Sequence, residues 1–375
     1  MELTTAGESH GKAIVGIIEG LPSNLEIDID GINADLALRQ GGYGRGGRQK
    51  IEKDKIELIS GVRNRLTLGS PLCFAVVNAD YKNWRQYMAP EGCDVTGKTL
   101  TKVRPGHADL TGMIKYDQTD ARNILERASA RETAVRVAAG GIARCYLKAL
   151  GVEVGGYVSC VCGEEDKNIY SFEQLSEAKG HPLFMIDGER EKRAMSLIDR
   201  LKEEGDTAGG IVEIRVKGLK SGFGSCMTYG EKLDAQLAFA LMSVQAIKGV
   251  EVGIGFDAGR LPGSKVHDEI VKKDGVYART TNNAGGIEGG MSNGEDIILR
   301  AVMKPIPTLM KGLNTVDIAT GLPCTAAGER SDVAAICACE IILESVTAFT
   351  IAKAVAKRLG GDNMNEVIER YNKLG

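Results

Sequence analysis

Histidine changes charge most readily near neutral pH, so its placement is the first question for acid–base chemistry. The chain has only four. His10 stands among small residues in Gly7-Glu-Ser-His-Gly11, and His107 in Arg104-Pro-Gly-His-Ala-Asp109. Turns that contain glycine can aim a side chain into a cleft instead of onto an apolar face, so both are candidates for proton transfer. A lone histidine is nonetheless more often structural. His181 and His267 lie in polar stretches and suggest no special role. No H-x-x-x-H or similar ligand spacing occurs, so a metal site has no support.

Anion binding is the second chemistry on offer. Arg39, Arg45, Arg48 and Lys50 fall within twelve residues that hold no acidic side chain. Arg45 therefore reads as a charge available to a ligand. Gly42-Tyr-Gly-Arg-Gly-Gly47 satisfies G-x-G-x-x-G, but it follows the helix-like Ile32–Leu38 and opens no helix, so a dinucleotide fold is not implied. What remains is a glycine loop suited to wrapping an anion, or equally a solvated surface loop. Ser129-Ala-Arg-Glu132 reads as a capping box. With Arg127 and Arg131 it offers a hydroxyl, backbone N–H groups and two guanidiniums, a set that binds phosphate well. Arg330-Ser-Asp332 reads as a helix start, with Asp332 as its cap or dipole partner. Gly7-Glu-Ser-His-Gly11 also fits G-x-S-x-G, but six residues cannot lay down the strands that a nucleophile elbow requires.

The elements that must position these residues are legible in part. Lys12–Ile18, Ile56–Ser60 and Leu72–Val77 read as strands. Val135, Ala138, Ala139, Ile142, Tyr146 and Ala149 follow helical spacing after Ser129. A second helix is expected from Lys232 to Lys248, with Leu237, Leu241 and Val244 on one stripe. A third begins near Ser331 and carries Val333, Ile336, Ile341 and Val346. Gly151-Val-Glu-Val-Gly155 and Gly249-Val-Glu-Val-Gly253 close the first two helices with the same pentapeptide. Helix, glycine stop and strand start is the implied unit, repeated within the core. Strands without regular βαβ alternation favour an α+β fold with antiparallel sheets. No linker divides the chain, so residues 1–375 read as one domain.

Composition narrows the function classes. The 375 residues carry a net charge of −3 and are 43% hydrophobic, with 48 glycines and 9 prolines. These values exclude disordered and fibrous chains. One tryptophan, few Arg-Gly-Gly steps and a pI near 6.0 argue against an RNA-binding protein. A phosphate-binding regulatory module remains the rival to an enzyme; it would keep the arginines and tolerate loss of His10, His107 and Asp332. The nine scattered cysteines imply buried, reduced thiols in a cytoplasm rather than a disulfide framework. No signal peptide is visible. The longest apolar stretch, Val333 to Lys357, is interrupted by Glu340 and Glu344, so no membrane span is expected.

Taken in order, the motifs resemble the chorismate synthase family. The resemblance runs through Gly7–Gly11, Arg39…Arg45, Arg104–Asp109, Arg127-Ala-Ser-Ala-Arg-Glu-Thr133 and Arg136-Val-Ala-Ala-Gly140. It continues with Gly205-Asp206, Ala240–Glu251, Asn283-Ala-Gly-Gly286, Gly289-Gly290, Lys304-Pro305 and Arg330-Ser-Asp332. Ala128 and Gln245 stand where serine and asparagine are also familiar. The resemblance implies 1,4-anti elimination of phosphate from 5-enolpyruvylshikimate 3-phosphate, giving chorismate, with reduced FMN and no net redox change. It implies His10 as proton donor near the flavin, His107 as the acid for the departing phosphate, and Asp332 as the residue that helps flavin N5 take the substrate proton. Arg39, Arg45, Arg104, Ser129, Arg131 and Arg330 would hold substrate anions. Arg127, Ala128, Ser129, Gln245, Ala246, Gly289, Lys304, Pro305, Ile306, Pro307, Thr308 and Arg330 would contact flavin. The same resemblance also offers Arg39 and Arg45 to NADPH, and leaves open whether NADPH on this enzyme or a separate flavin reductase reduces the FMN. The implied architecture is a β-α-β sandwich with a helical layer between antiparallel sheets, as a homotetramer without nucleic-acid or membrane partners.

Overall fold

The computed structural model describes residues 1–46, 53–92, 94–273, 275–326 and 332–374. Alternation of apolar and polar residues near the N-terminus makes strands. β1 (Glu2–Ala6), β2 (Ala13–Glu19), β3 (Ile56–Leu58) and β4 (Leu72–Val77) form an antiparallel sheet in the order β1-β2-β4-β3. Ile14, Ile18, Leu72, Phe74 and Val76 are buried in it. The turn from β1 to β2 carries Glu8, Ser9 and His10. Gly7, which opens the turn, has φ +111°, and a Cβ there would lie 2.4 Å from the Ala13 carbonyl oxygen. Only glycine takes that backbone shape in that space, so Gly7 sets where His10 emerges.

Five helices follow or interleave with this sheet: α1 (Ile29–Gln40), α2 (Tyr81–Met88), α3 (Asp109–Tyr116), α4 (Ala121–Ala128) and α5 (Thr133–Lys148). A second antiparallel sheet contains β5 (Glu153–Val161), β6 (Glu164–Glu165), β7 (Gly210–Lys217), β8 (Ile247–Val252) and β9 (Ile297–Met303), in the order β8-β9-β7-β5-β6. Two more helices, α6 (Leu233–Met242) and α7 (Ile336–Leu359), complete the frame. The fold is α+β. α5 rests on β2 and β4, α7 rests on β5 and β7, and the two helices pack on each other. Both are buried nearly all round, as helices hydrophobic on every side must be. Gly140 makes their close approach possible: a Cβ there would come within 2.3 Å of the Ser345 Cβ. One apolar cluster runs from Ile14 through Ile142 and Ile351 to Leu299.

The interrupted apolar stretch is this core helix. No helix among the described residues is long and apolar enough to cross a membrane. Glu344 on α7 is met by Lys179 Nζ at 2.6 Å and Arg144 at 3.5 Å. Burial pushes the neighbouring Glu340 carboxyl well above its ordinary value, and Glu344 adds to that push. At Glu344 the two cations outweigh burial and hold the carboxyl below its ordinary value.

The three expected strands lie within one or two residues of β2, β3 and β4. The second expected helix is shorter than its pattern: α6 stops at Met242, and Gly249 lies inside β8 beside a register shift. Pairing with β9 claims that segment despite its helical spacing. The glycine stop therefore holds only for the first unit, where Gly151 (φ +74°) separates α5 from β5. The third helix begins at Ile336, so Asp332 precedes it and does not cap it; Ala335 is its first flanking residue. Among the described residues all cysteines are free, but Cys162 and Cys226 are exposed, not buried.

Candidate active site

A cleft of about 460 Å³ opens where the β1–β2 turn, the end of α1, the turns before α3 and α5, the segment after α6, the strap after β9 and the first turns of α7 converge. Arg39, Arg45, Arg104, Arg131 and Lys304 line it, against Asp332 as the one lining carboxylate among the described residues. Such a surplus of cations selects an anionic ligand. Val244, Met303, Ile306 and Pro307 add an apolar wall.

His10 is held on three sides. Its backbone N–H donates to Glu126 Oε2 at 2.7 Å, and its Nδ1 lies 2.8 Å from Oε1 and 3.0 Å from Oε2. Trp84 stacks on the imidazole at 3.8 Å between centroids, with 25° between planes. Beside it, Ser9 and Ser129 share a hydroxyl–hydroxyl hydrogen bond of 3.2 Å.

His107 is held by its own neighbours. Asp109 is fully buried and receives His107 Nδ1 at 2.5 Å, together with Arg104 Nε at 2.8 Å and Nη2 at 3.0 Å. Burial alone would raise the Asp109 carboxyl, but the hydrogen bonds from His107 and Arg104 outweigh it and hold the group well below the usual carboxylate range. Arg104 also donates to Thr308 Oγ1 at 3.3 Å, which ties this turn to the strap after β9.

The arginines are anchored by buried acids. Arg131 donates to Asp54 Oδ2 at 2.5 Å and to Asn78 Oδ1 at 2.7 Å, and Arg39 lies 3.8 Å from the same Asp54 oxygen. Burial pushes the Arg39 guanidinium down to about 10, a shift that Asp54 opposes and Arg131 and Arg45 deepen. Arg45 is not the unpaired charge its sequence surroundings imply. Its Nη1 lies 3.0 Å from Asp332 Oδ2, and Asp332 Oδ1 accepts from the Gly46 N–H at 2.6 Å. The acid that pairs Arg45 is far away in sequence, which local composition cannot reveal.

The capping box forms only in part. Ser129 Oγ accepts from the Arg131 N–H at 3.3 Å, but Glu132 turns instead to Thr5 and Arg136. Gln245 donates to Glu132 at 3.4 Å, and its buried Oε1 has no hydrogen-bond partner among the described residues. Ala246, next to it, has φ +71°, which costs a non-glycine residue on the order of 1–3 kcal/mol and marks a site constrained by its surroundings. Lys304 Nζ donates to the Gly106 carbonyl.

The cleft thus brings together His10, His107, Asp332, Arg39, Arg45, Arg104, Ser129, Arg131, Ala128, Gln245, Ala246, Lys304, Ile306, Pro307 and Thr308. It does not gather Arg127, Pro305 or Gly289 among its lining residues. Arg127 donates instead to the Gly7 and Thr5 carbonyls, and Gly289 lies in the hairpin joining Ile287–Glu288 to Met291–Ser292. Arg330, Arg48, Lys50 and Ser331 lie outside the described residues. Sequence reasoning missed Glu126, Asp54, Trp84 and Asp109. Only Asp109 carried a local signal, two residues after His107.

A family model described as chorismate synthase matches residues 1–356. The chorismate synthase of Alkaliphilus metalliredigens is 53% identical, covering 97% of each chain. That of Geobacter sulfurreducens is 51% identical, over 98% of this chain and 96% of the relative. A crystal structure of chorismate synthase aligns with a TM-score of 0.80 at 37% identity, covering 99% of this chain and 96% of that one. With half its residues shared over nearly its whole length, and the fold shared as well, this chain belongs to the chorismate synthase family.

Proposed function

We propose that the cationic cleft is where this chain carries out the family's reaction, with FMN and substrate bound side by side. The reaction is the elimination of phosphate from 5-enolpyruvylshikimate 3-phosphate to chorismate, a carbon–oxygen lyase step of the shikimate pathway. The observation that carries the placement is the convergence of five cationic side chains and two carboxylate-held histidines in one cleft. The substrate bears two carboxylates and a phosphate. Arg39, Arg45, Arg104 and Arg131, with Ser129, are suited to those anions because guanidiniums bind them in pairs of hydrogen bonds and stay charged when desolvated.

The residues also fit a flavin. Val244, Met303, Ile306 and Pro307 offer an apolar wall to a flat ring, and the unpartnered Gln245 Oε1 is an acceptor for a ring N–H. Ala128, Ser129, Ala246, Lys304 and Thr308 complete that wall. Reduced flavin, when bound, supplies an electron-rich ring beside the substrate and a nitrogen that takes its proton. The carbon–oxygen bond to phosphate breaks with its electron pair on oxygen, while a ring carbon gives up a proton, so no net oxidation occurs. His107 protonates the departing phosphate, His10 supplies a proton on the flavin side, and Asp332 assists transfer of the ring proton. For Arg127, Pro305, Gly289 and Arg330 the cofactor reading rests on the family resemblance alone.

The full chain acts as one domain, supported by its continuous core. The layout reads as a β-α-β sandwich, supported by α5 and α7 packing on opposite sheets and on each other. Assembly as a homotetramer is supported by exposed apolar side chains such as Phe239 and Tyr229. Free thiols support a cytoplasmic location. An anaerobic assay with purified protein and FMN tests the function. Chorismate and phosphate should form in equal amounts once the flavin is reduced, with none formed from oxidised FMN. Consumption of one reductant per chorismate overturns the elimination. Turnover with NADPH alone makes the enzyme its own flavin reductase; turnover only with dithionite assigns that step to a separate one.

A further inference from the structure

We infer that Glu126 is a positioning residue that decides which nitrogen of His10 exchanges its proton with the cleft. Glu126 lies in the last turn of α4 and is 3% exposed, so its carboxylate is met by protein groups. The His10 backbone N–H takes Oε2 at 2.7 Å, and His10 Nδ1 lies against both oxygens at 2.8 and 3.0 Å. A carboxylate only accepts, so Nδ1 must carry a proton in either charge state of the ring. Nε2 is then the one nitrogen at which His10 gains or loses a proton. Stacking on Trp84, whose Nε1–H donates to Asp80 at 3.0 Å, keeps the ring from turning over. The charged groups around this pair, among the described residues, are Glu126 and Arg122 on α4, Asp80 and Lys98 around the indole, and Glu8 and Lys12 on His10's own turn.

The decisive variant is Glu126→Gln. A backbone N–H can only donate, so the new amide must turn its oxygen to the His10 N–H. Its NH₂ then takes the place of Oε1, the nearer of the two contacts to Nδ1 at 2.8 Å, and there favours Nδ1 as an acceptor. The neutral ring is biased to carry its proton on Nε2, and the doubly protonated ring meets a donor where its nearer acceptor had been. The expected result is an inverted tautomer and a weakened charged form.

This inference rests on the proposed role of His10 as proton donor, and the experiment separates the two. Trp84 is the only tryptophan, so the fluorescence of the intact, ligand-free protein reports the charge of the ring stacked on it. ¹⁵N NMR of the imidazole reports the tautomer. In the unmodified protein the neutral ring should be protonated at Nδ1; protonation at Nε2 overturns the inference without any variant. In Glu126→Gln the tautomer should invert and the pH midpoint of the Trp84 signal should fall. kcat should drop about 10²-fold or more, the scale of a mis-set histidine tautomer, with KM changed by less than about threefold. Glu126→Asp, which keeps the acceptor, should recover most of kcat and the original tautomer. It also carries the test if Glu126→Gln does not fold. An unchanged tautomer and midpoint in Glu126→Gln overturn the positioning role. An inverted tautomer with an unchanged kcat–pH profile upholds the positioning role and overturns His10 as the proton donor.

Discussion

His10 and His107 open onto the same cleft, and each is bonded through Nδ1 to a buried carboxylate. The two arrangements are built differently. The partner of His107 is two residues away, and one short turn holds Arg104, His107 and Asp109 together. The partner of His10 is 116 residues away on α4, and a third segment supplies Trp84. The His107 cluster adds a guanidinium to the carboxylate, so its acid is neutralised twice over and held deprotonated. The His10 cluster adds an aromatic face, which fixes orientation. One site is an electrostatic clamp made locally, and the other an orienting socket made by the fold.

The comparison breaks most visibly if either histidine is dispensable. His10→Ala and His107→Ala should each lower kcat by about 10²–10⁴-fold, the range for a lost acid or base, with much smaller changes in substrate binding. Steady-state kinetics on folded protein checks this. A near-normal kcat in either variant removes that residue from the chemistry.

The clamp should matter more than the socket for stability. Asp109→Asn leaves Arg104 buried without its counter-charge, at a cost of about 3–5 kcal/mol. The sign with pH follows from the depressed Asp109 carboxyl. Its stabilising contribution is complete above the ordinary carboxylate range, near about 4. It fades as pH falls through the lower folded-state value. Thermal melts should therefore show a constant gap between Asp109→Asn and the unmodified protein from pH 8 to about 5, closing in stronger acid. A gap that widens in acid contradicts the assignment.

The Arg45–Asp332 pair sits between these extremes, because both partners line the cleft and are also bonded to each other. Arg45→Lys keeps charge without the planar fork, and Arg45→Ala loses both. Substrate binding should weaken in that order, Ala by about 10–100-fold, the scale of one or two hydrogen bonds to charged groups. Asp332→Asn retains the acceptor for the Gly46 N–H and should slow elimination while ternary complex still forms. Since the pair is in contact, the double variant should depart from additivity by about 0.5–3 kcal/mol. Anaerobic titration with single-turnover stopped flow measures both; strict additivity dissolves the coupling. Smallest of all, Ser129→Ala removes one cap and one hydroxyl contact. It should cost about 0.5–2 kcal/mol of stability in a thermal melt. A collapse of the fold would give Ser129 a larger role than its two hydrogen bonds.

The sequence by itself determined what depends on neighbours along the chain. Strands β2, β3 and β4 and the start of α5 follow from apolar spacing and turn residues, and the His107 cluster was nearly readable because Asp109 lies within its motif. The ordered motifs also named many of the residues that line the cleft, but they named Arg127, Pro305 and Gly289 as well, which do not line it. Where tertiary pairing competes, local signals fail: the helical spacing up to Lys248 yields to β8 because β9 offers it a hydrogen-bonded partner. The same holds for charge. Arg45 stands among glycines and basic residues, yet Asp332 neutralises it from 287 residues further on; Asp54 anchors Arg131 from 77 residues before it, and Glu126 reaches His10 across 116. A buried polar group must be paired, but the chain does not announce with what. Only packing of α4, α5 and α7 against the two sheets decides which acid meets which base, and with that which nitrogen holds the proton.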